Sequence, residues 1–345
     1  MDYESLLRTR EEDLEEVLEK ARNSSWKYFG NDIRFYVPSF VYYKTDYCCS
    51  STVAFPSISI TGSSCSLKCK HCGGVVLNTM YPVDSPRELV KLCKDLKRKG
   101  AVGCLISGGC LPDGSVPLIE FVDAMMEIKQ ELRLTLVVHT GVVSKSLANQ
   151  LGRAGIDAAL IDVIGSDETI REIYNLQVSV ADYERSLEAL HSANIPTVPH
   201  VLVGLHYGQL KGELNALRII SRYEPSAIII IVFMPIRGTM MENVEPPKPS
   251  EIGRVILAAR YMMPTVPLAL GCMRPKGGHR IETDIWAVKA GVNAIAFPVK
   301  EAIGLAESMK YNISFSSLCC SQIFEDLKRL NGQVVEEIAA EKDPG

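Results

Sequence analysis

Short apolar or β-branched runs alternate with longer helical stretches along most of this chain. Eight such runs predict strands, at residues 57–62, 103–107, 134–139, 158–164, 197–204, 227–234, 268–272 and 294–297. Helices are predicted between them, at residues 86–99, 117–131, 144–154, 181–193, 210–223, 250–262 and 283–290. Both faces of the strands are apolar, as in parallel strands covered by helices. Eight alternations predict an α/β fold, a closed (β/α)8 TIM-type barrel whose reactive side chains follow the carboxyl ends of the strands.

The barrel is predicted to span residues 57–300, with an extension on either side. Residues 1–56 form the N-terminal extension, where a helical pattern of leucines precedes a strand or hairpin at 33–43. Residues 301–345 form the C-terminal extension, which contains Cys319 and Cys320.

Charge and composition exclude several classes of partner. The chain has 37 basic and 41 acidic residues, a net charge of -4, which disfavours binding to nucleic acid. The longest apolar stretch, 227–234, is too short to cross a membrane, and residues 1–10 lack the apolar segment of a secretion signal. These features predict a cytoplasmic protein with no membrane partner. In that compartment 11 cysteines indicate metal binding or catalysis rather than disulfides.

Three cysteines follow the first barrel strand in a Cys-x3-Cys-x2-Cys spacing: Cys65, Cys69 and Cys72. Such short spacings let thiolates converge on one metal centre. Three thiolates are one fewer than a [4Fe-4S] cluster has irons, so one iron would stay open to a substrate or cofactor. The alternatives are a zinc site with a distant fourth ligand, or three unrelated thiols.

With His71 directly before the last cysteine, this loop resembles the signature of the radical S-adenosylmethionine (radical SAM) superfamily. The resemblance implies a [4Fe-4S] cluster whose fourth iron is chelated by S-adenosylmethionine. It also implies reductive cleavage to a 5'-deoxyadenosyl radical, which takes hydrogen from an unactivated C–H bond. The cofactor carries that chemistry, while the protein orients it and excludes water.

Other segments resemble the superfamily in the same order. The glycine turn after the second strand is similar to one that meets the methionine amino group, although Cys110 stands where the family has Glu. Residues 201–205 resemble the apolar motif near the adenine, and residues 234–239 resemble a Pro-x-x-Gly-Thr turn of biotin synthase. The contacts to S-adenosylmethionine that the resemblance implies are Ser107, Gly108, Gly109, Asp162, Val203 and Gly204.

Asp162 ends the fourth strand, where it could face inward and bond the ribose or the methionine, or could instead cap the next helix. His139, His200 and His206 lie at or near the barrel mouth. We expect these histidines to be structural residues rather than ligands.

Eight cysteines remain outside the loop. Cys93 and Cys104 fall inside a helix and a strand and are predicted to be core residues. The other six could gather round a second, auxiliary iron–sulfur cluster, with the two terminal pairs closing over the barrel mouth; the alternative is chance thiols in packed loops. These candidates are Cys48, Cys49, Cys110, Cys272, Cys319 and Cys320. Arg274 lies near the position where biotin synthase has a cluster-binding arginine.

The chain resembles the biotin synthase-related proteins that include subunits of the two-component lipoyl synthase. That resemblance implies sulfur insertion into an octanoyl chain on a lysine of a lipoyl carrier protein, a second radical SAM subunit, and a ferredoxin or flavodoxin as electron donor. The Cys-x4-Cys-x5-Cys and Arg-Ser-Ser-Tyr motifs of lipoyl synthase are absent from the sequence. Two alternatives stay open: a single-cluster enzyme doing methylation, rearrangement or cofactor maturation, and a non-catalytic iron–sulfur or metal assembly protein.

Overall fold

The computed structural model describes residues 3–328, and the predicted tail at 329–345 lies outside the described residues. The strands, in chain order, are β1 (Asp32–Tyr36), β2 (Ser57–Ser59), β3 (Tyr81–Pro82), β4 (Gly103–Ser107), β5 (Thr135–His139), β6 (Ala158–Asp162), β7 (Thr197–Val203), β8 (Ile228–Val232), β9 (Leu268–Leu270), β10 (Ala294–Ala296) and β11 (Asn312–Ser316). All eight predicted barrel strands are therefore confirmed, as β2 and β4 to β10.

Helices cover the sheet in the predicted alternation. They are α1 (Tyr3–Arg8), α2 (Glu11–Phe29), α3 (Pro86–Arg98), α4 (Val122–Glu127), α5 (Lys145–Ala154), α6 (Asp167–Tyr174), α7 (Val180–Ser192), α8 (Glu213–Ile220), α9 (Pro249–Met262), α10 (Gly278–Lys289) and α11 (Lys300–Ser308). Local signals set several helix starts: Ser85, Ser144 and Ser166 each accept a hydrogen bond from the backbone three residues on, which satisfies an otherwise free N–H. Helix α6 was not predicted.

The strands form one parallel sheet in the order β11-β1-β10-β9-β8-β7-β6-β5-β4-β2-β3. This order confirms the (β/α)8-type succession of strands. It differs from the expected closed barrel, because within the described residues β10 pairs with β1 rather than with β2. One strand from each extension thus continues the curled sheet past the eighth barrel strand. The segment predicted as a strand or hairpin is the single strand β1, with Ile33 and Phe35 fully buried.

The leading helices pack on the outside of the sheet. Arg254 of α9 donates from Nη2 to the carbonyl of Thr9 at 2.7 Å, and Tyr261 of α9 donates to the carbonyl of Val17 at 3.1 Å. The N-terminal extension is thereby fixed to the barrel helices before its strand enters the sheet. In the described residues no helix is long and apolar enough to cross a membrane.

The concave side of the sheet encloses a second core, which we call the inner cluster. It includes Tyr36, Phe55, Val137, Leu160, Val198, Ile229, Ala269, Cys319, Cys320, Ile323 and Phe324. The short helix Cys320–Gln322 contacts β6, β8 and β10, so the C-terminal segment occupies the interior of the curled sheet. Residues that face this interior and lie near the carboxyl ends of the strands form the mouth of the fold, where a barrel of this type places its site.

Candidate active site

The predicted cysteine loop follows β2 at the mouth, and backbone hydrogen bonds hold it in place. The N–H of Ser66 donates to the carbonyl of Cys110 at 2.8 Å, and the N–H of Lys70 donates to the carbonyl of Ile173 at 2.8 Å. The loop is thus tied to the segment after β4 and to the end of α6. Cys69 is buried, whereas Cys65 and Cys72 are partly buried. All 11 cysteines lie within the described residues and are free thiols.

Two of the thiols interact strongly. A side-chain hydrogen bond between Cys69 and Cys72 lowers the pKa of Cys72, and the neighbouring His71 lowers it further. The same hydrogen bond, together with burial and the nearby Cys65, raises the pKa of Cys69. The lowered pKa of Cys72, about 4, favours its thiolate, the form that binds metals. A bound cation would favour the thiolate form of all three.

The residues present fit a [4Fe-4S] cluster held by Cys65, Cys69 and Cys72. The carbonyl of Tyr174 accepts a hydrogen bond from the Cys69 sulfur at 3.7 Å, and the rings of His71 and Tyr174 lie 5.2 Å apart. Buried Nδ1 of His71 has no hydrogen-bond partner in the described residues. Three neighbouring free thiols beside an unpaired buried polar atom are typical of a ligand site.

The glycine turn after β4 packs directly on this loop. A Cβ at Gly109 would lie 2.6 Å from the Cβ of Cys65 and would also strike the carbonyl oxygen of Ser64. The N–H of Gly109 donates to Oγ1 of Thr61 at 2.7 Å. Glycine is therefore needed at position 109 so that the two loops can approach. The sequence pointed to Gly108 and Gly109 but not to Thr61, because a lone threonine in a turn carries no signal.

The remaining residues predicted to contact S-adenosylmethionine stay predictions, and the structure places them as follows. Ser107 ends β4 beside the cysteine loop. Val203 is fully buried in the core between the sheet and the surrounding helices and is not part of the inner cluster, so its side chain points to the helices. Gly204 has a positive φ of 76°, donates its N–H to Oε1 of Glu213 at 2.9 Å, and packs on Pro247.

Asp162 lies inside the mouth with two histidines. Nε2 of His139 and Oδ1 of Asp162 are 3.3 Å apart, and the rings of His139 and His200 are 5.9 Å apart. The alternative that Asp162 caps the next helix is wrong, because Ser166 caps α6. His206 lies elsewhere, where its Nδ1 is 3.2 Å from Oγ1 of Thr169.

The electrostatics of this group follow from burial and mutual contact. Burial alone would raise the pKa of Asp162, but His139, His200 and His71 lower it to about 2. Burial would lower the pKa of His139, and Asp162 raises it instead. Burial lowers the pKa of His200 to about 4. At neutral pH an ionised carboxylate therefore lies between His139 and a neutral imidazole of His200.

The six surplus thiols occupy three places. Cys110 lies in the glycine turn after β4, beside the cysteine loop, where burial and then Cys65 and Asp162 raise its pKa to about 12. Cys319 and Cys320 are buried in the inner cluster, and Cys272 packs against that cluster. Burial and then Cys319 raise the pKa of Cys272 to about 11, so these sulfurs are neighbours.

Cys48 and Cys49 lie on the rim of the mouth. Their turn is closed by a bridge between Lys44 and Cys49, and the nearby hydroxyl of Tyr43 donates to the carbonyl of Pro298 at 2.7 Å. Pro298 follows β10, at the end of the sheet where Cys272 follows β9. Cys48 packs against the inner cluster, whereas Cys49 is exposed.

Hydrogen bonds to other groups of the protein hold the side chain of Arg274. Its guanidinium is fully buried, donates to both carboxylate oxygens of Asp284 at 2.7 and 2.9 Å, and donates to the carbonyls of Gly271 and Phe297. Its role in the described structure is to join the strand ends to α10. Arg280 lies beside it, donates to the carbonyl of Cys272 at 3.2 Å, and was not singled out by the sequence.

A parallel α/β sheet of this order, with a cysteine loop after its first barrel strand, defines a barrel-type domain whose loop thiols are placed to hold an iron–sulfur cluster. Residues 59–210 match the model of the Radical SAM superfamily. The chain thus contains a radical SAM domain, as its cysteine loop predicted.

Two curated relatives extend the similarity beyond that domain. The chain is 26% identical over 240 residues to a biotin synthase of Ruthia magnifica subsp. Calyptogena magnifica, covering 68% of this chain and 71% of the relative. It is 25% identical over 252 residues to a biotin synthase of Prochlorococcus marinus, covering 70% of this chain and 73% of the relative.

Solved structures support the fold. Methylornithine synthase superposes with a TM-score of 0.65 at 17% identity, covering 94% of this chain and 95% of that one. HydG, a maturase of the [FeFe]-hydrogenase, superposes with a TM-score of 0.62 at 16% identity, covering 84% of this chain and 62% of that one. The radical SAM type of (β/α) fold is thereby confirmed. The resemblance to a lipoyl synthase subunit stays a prediction.

Proposed function

We propose that the protein is a radical SAM enzyme that inserts sulfur into an unactivated C–H bond of an octanoyl chain carried on a lysine of a lipoyl carrier protein. It would act as one subunit of a two-component lipoyl synthase, with a ferredoxin or flavodoxin as electron donor. Similarity to biotin synthases over about 70% of the chain supports the reaction class. The substrate and the partners rest on the sequence resemblance.

The residues at the mouth have separate roles in binding and in positioning. Cys65, Cys69 and Cys72 would hold the cluster, and Gly109 lets the turn after β4 lie against their loop. When bound there, a [4Fe-4S] cluster with S-adenosylmethionine supplies a 5'-deoxyadenosyl radical. The interior wall is apolar, with Leu160 and Ile229 among its residues, and the C-terminal segment packs against it, which excludes water.

The observation that carries the proposal is a second group of thiols in the same interior. Cys319 and Cys320 are buried in the inner cluster, Cys272 packs against it, and Cys48 reaches it from the rim. Buried, free sulfurs from three distant segments are ligands of the kind that an auxiliary iron–sulfur cluster takes. Such a cluster would be the sulfur donor, and hence a substrate of the reaction.

Iron counting tests the second cluster. After anaerobic reconstitution we expect about eight irons per chain, because two [4Fe-4S] clusters hold four each. Cys272→Ala and Cys320→Ala should lower the count to about four while formation of 5'-deoxyadenosine continues. Cys93→Ala is the matched control, because Cys93 is an equally buried thiol in α3 on the outside of the sheet. It should retain about eight irons.

The other results decide between the alternatives. A wild-type protein with about four irons that still forms 5'-deoxyadenosine would be a single-cluster enzyme for methylation, rearrangement or cofactor maturation. A protein that forms no 5'-deoxyadenosine under a strong reductant would be an assembly protein. With two clusters in place, an octanoyl-lysine carrier peptide should gain sulfur when the second subunit is added, and an unmodified peptide would exclude this substrate.

A further inference from the structure

Three neighbouring strands bring polar side chains together inside the mouth. His139 ends β5, Asp162 ends β6, and His200 lies in β7 directly opposite Asp162 in the register. Side chains two residues apart on a strand share a face. Two residues earlier on these strands are Val137, Leu160 and Val198, all members of the inner cluster. The two histidines and the aspartate therefore all face the interior.

Their donor atoms are already gathered. One ring nitrogen of each histidine and one carboxylate oxygen lie within 4.8 Å of one another. Ligands of a single zinc ion, each about 2.0–2.1 Å from the metal, lie about 3.3 Å apart in a tetrahedral site. Small side-chain rotations would close the remaining gap. Because the three residues stand on adjacent strands of one sheet, the backbone fixes their spacing.

The group also has unused binding capacity. Nδ1 of His200 is buried and has no hydrogen-bond partner in the described residues, which is costly for a polar atom away from water. Within this group, the single polar contact of the Asp162 carboxylate is with His139. A ligand bound in the interior would provide a partner for Nδ1 of His200 and for the unused lone pairs of the Asp162 carboxylate.

A second group of similar composition provides a contrast. Glu168, Glu172 and His206 also lie within 4.8 Å of one another. There the two carboxylates are exposed or partly exposed, His206 is already engaged by Thr169, and Lys211 pairs with Glu168 at 2.5 Å. A lysine ammonium occupies the position a cation would take. The group at Asp162 has no lysine or arginine contact among the described residues.

We propose that His139, Asp162 and His200 bind one divalent transition-metal ion, Zn²⁺ or Fe²⁺, inside the mouth. Two imidazoles and one carboxylate form a ligand set that suits these ions and leaves coordination positions open. The ion would carry a net charge of +1 with these ligands, so its open positions would take a carbonyl or carboxylate oxygen of a bound molecule. This assignment replaces the expectation that Asp162 contacts S-adenosylmethionine, and it does not depend on the proposed function.

Metal content tests the site directly. Full-length protein is reconstituted with iron and sulfide so that the cluster thiols are occupied, then equilibrated with Zn²⁺ and desalted. Elemental analysis should find about one zinc per chain in the wild type, and chelator competition gives the affinity. His200→Gln and Asp162→Asn should weaken zinc binding by about 100-fold, at least the loss seen for removing a residue that supports a metal ligand. His139→Gln is a second variant in case Asp162→Asn fails to fold.

His191→Gln is the matched control, since His191 is an exposed histidine of α7. It should keep wild-type zinc affinity, and all variants should keep the wild-type iron count after zinc loading, because zinc then occupies the site. With Co²⁺ as the probe, the site should give ligand-field bands without the intense charge-transfer band of a thiolate ligand. Unchanged zinc affinity in His200→Gln would overturn the assignment. So would a thiolate band, or an Asp162→Asn variant that loses affinity for S-adenosylmethionine and keeps its zinc.

Discussion

Gly109→Ala tests whether the turn after β4 positions the cysteine loop. The added methyl group would lie 2.6 Å from the Cβ and 2.7 Å from the Cα of Cys65, closer than carbon atoms approach without a shift of the backbone. Overpacking of this kind costs about 1–3 kcal/mol. Since the unfolding entropy is about 2.1 cal/mol/K per residue, each kcal/mol lowers Tm of a chain of 345 residues by roughly 1.4 °C, so Tm should fall by about 1–4 °C. Because Cys65 must move, the protein should also retain less iron after reconstitution.

Two other glycines make the experiment a graded series. A Cβ at Gly304, in helix α11, would meet nothing within 4 Å, so Gly304→Ala should leave iron unchanged and stabilise the helix by about 0.5–1 kcal/mol. A Cβ at Gly108 would meet Thr61 and Ile60 side chains at 3.1–3.2 Å, an intermediate case. Thermal unfolding followed by circular dichroism and iron analysis measure both effects. The reasoning is refuted if Gly109→Ala matches Gly304→Ala in Tm and iron content.

Two further predictions concern buried charges. Arg274→Met leaves the carboxylate of Asp284 buried without its partner, which should cost about 3–5 kcal/mol and lower Tm accordingly; a change under about 2 °C would contradict this. The pKa of Asp162 is depressed to about 2 from a usual 3.8. The stabilisation of the fold that results is present above pH 4 and is lost as pH falls through about 2. Asp162→Asn should therefore destabilise by about 2 kcal/mol at pH 7, and chemical denaturation should show that difference narrowing from about pH 5 to about pH 3. A constant difference would mean that the carboxylate charge does not contribute.

The barrel strands could be predicted because burial on both faces demands apolar runs. Ile228–Val232, five buried β-branched residues, is the clearest example. Helix α6 was missed because it has only eight residues and no long apolar period. That omission hid Tyr174, whose carbonyl and ring contact the cysteine loop.

The sheet order beyond β10 could not be predicted. Strand β1 pairs in register with β10 on one side and β11 on the other, contacts between residues more than 250 positions apart. Local periodicity predicts that a segment is extended but carries no information about its distant partner. The closed barrel was therefore expected where the structure continues the sheet with strands from both extensions.

The site shows the same division between local and distant information. The cysteine loop is a contiguous motif, so its spacing predicts a metal centre and its resemblance to the radical SAM signature predicts the kind of cluster. His139, Asp162 and His200 were each placed at or near the barrel mouth, but their convergence depends on the register between β5, β6 and β7. The signal that could have placed the two histidines and the aspartate on one face is the apolar residue two positions earlier on each strand: Val137, Leu160 and Val198.

The central claim is that Cys65, Cys69 and Cys72 hold a cluster with one iron open to S-adenosylmethionine. Electron paramagnetic resonance of the anaerobically reduced, reconstituted protein tests it most directly, with Cys72→Ala as the control. We expect the wild-type cluster signal to shift when S-adenosylmethionine is added, and the signal to be missing or unresponsive in Cys72→Ala. A wild-type spectrum that is identical with and without S-adenosylmethionine would contradict the claim.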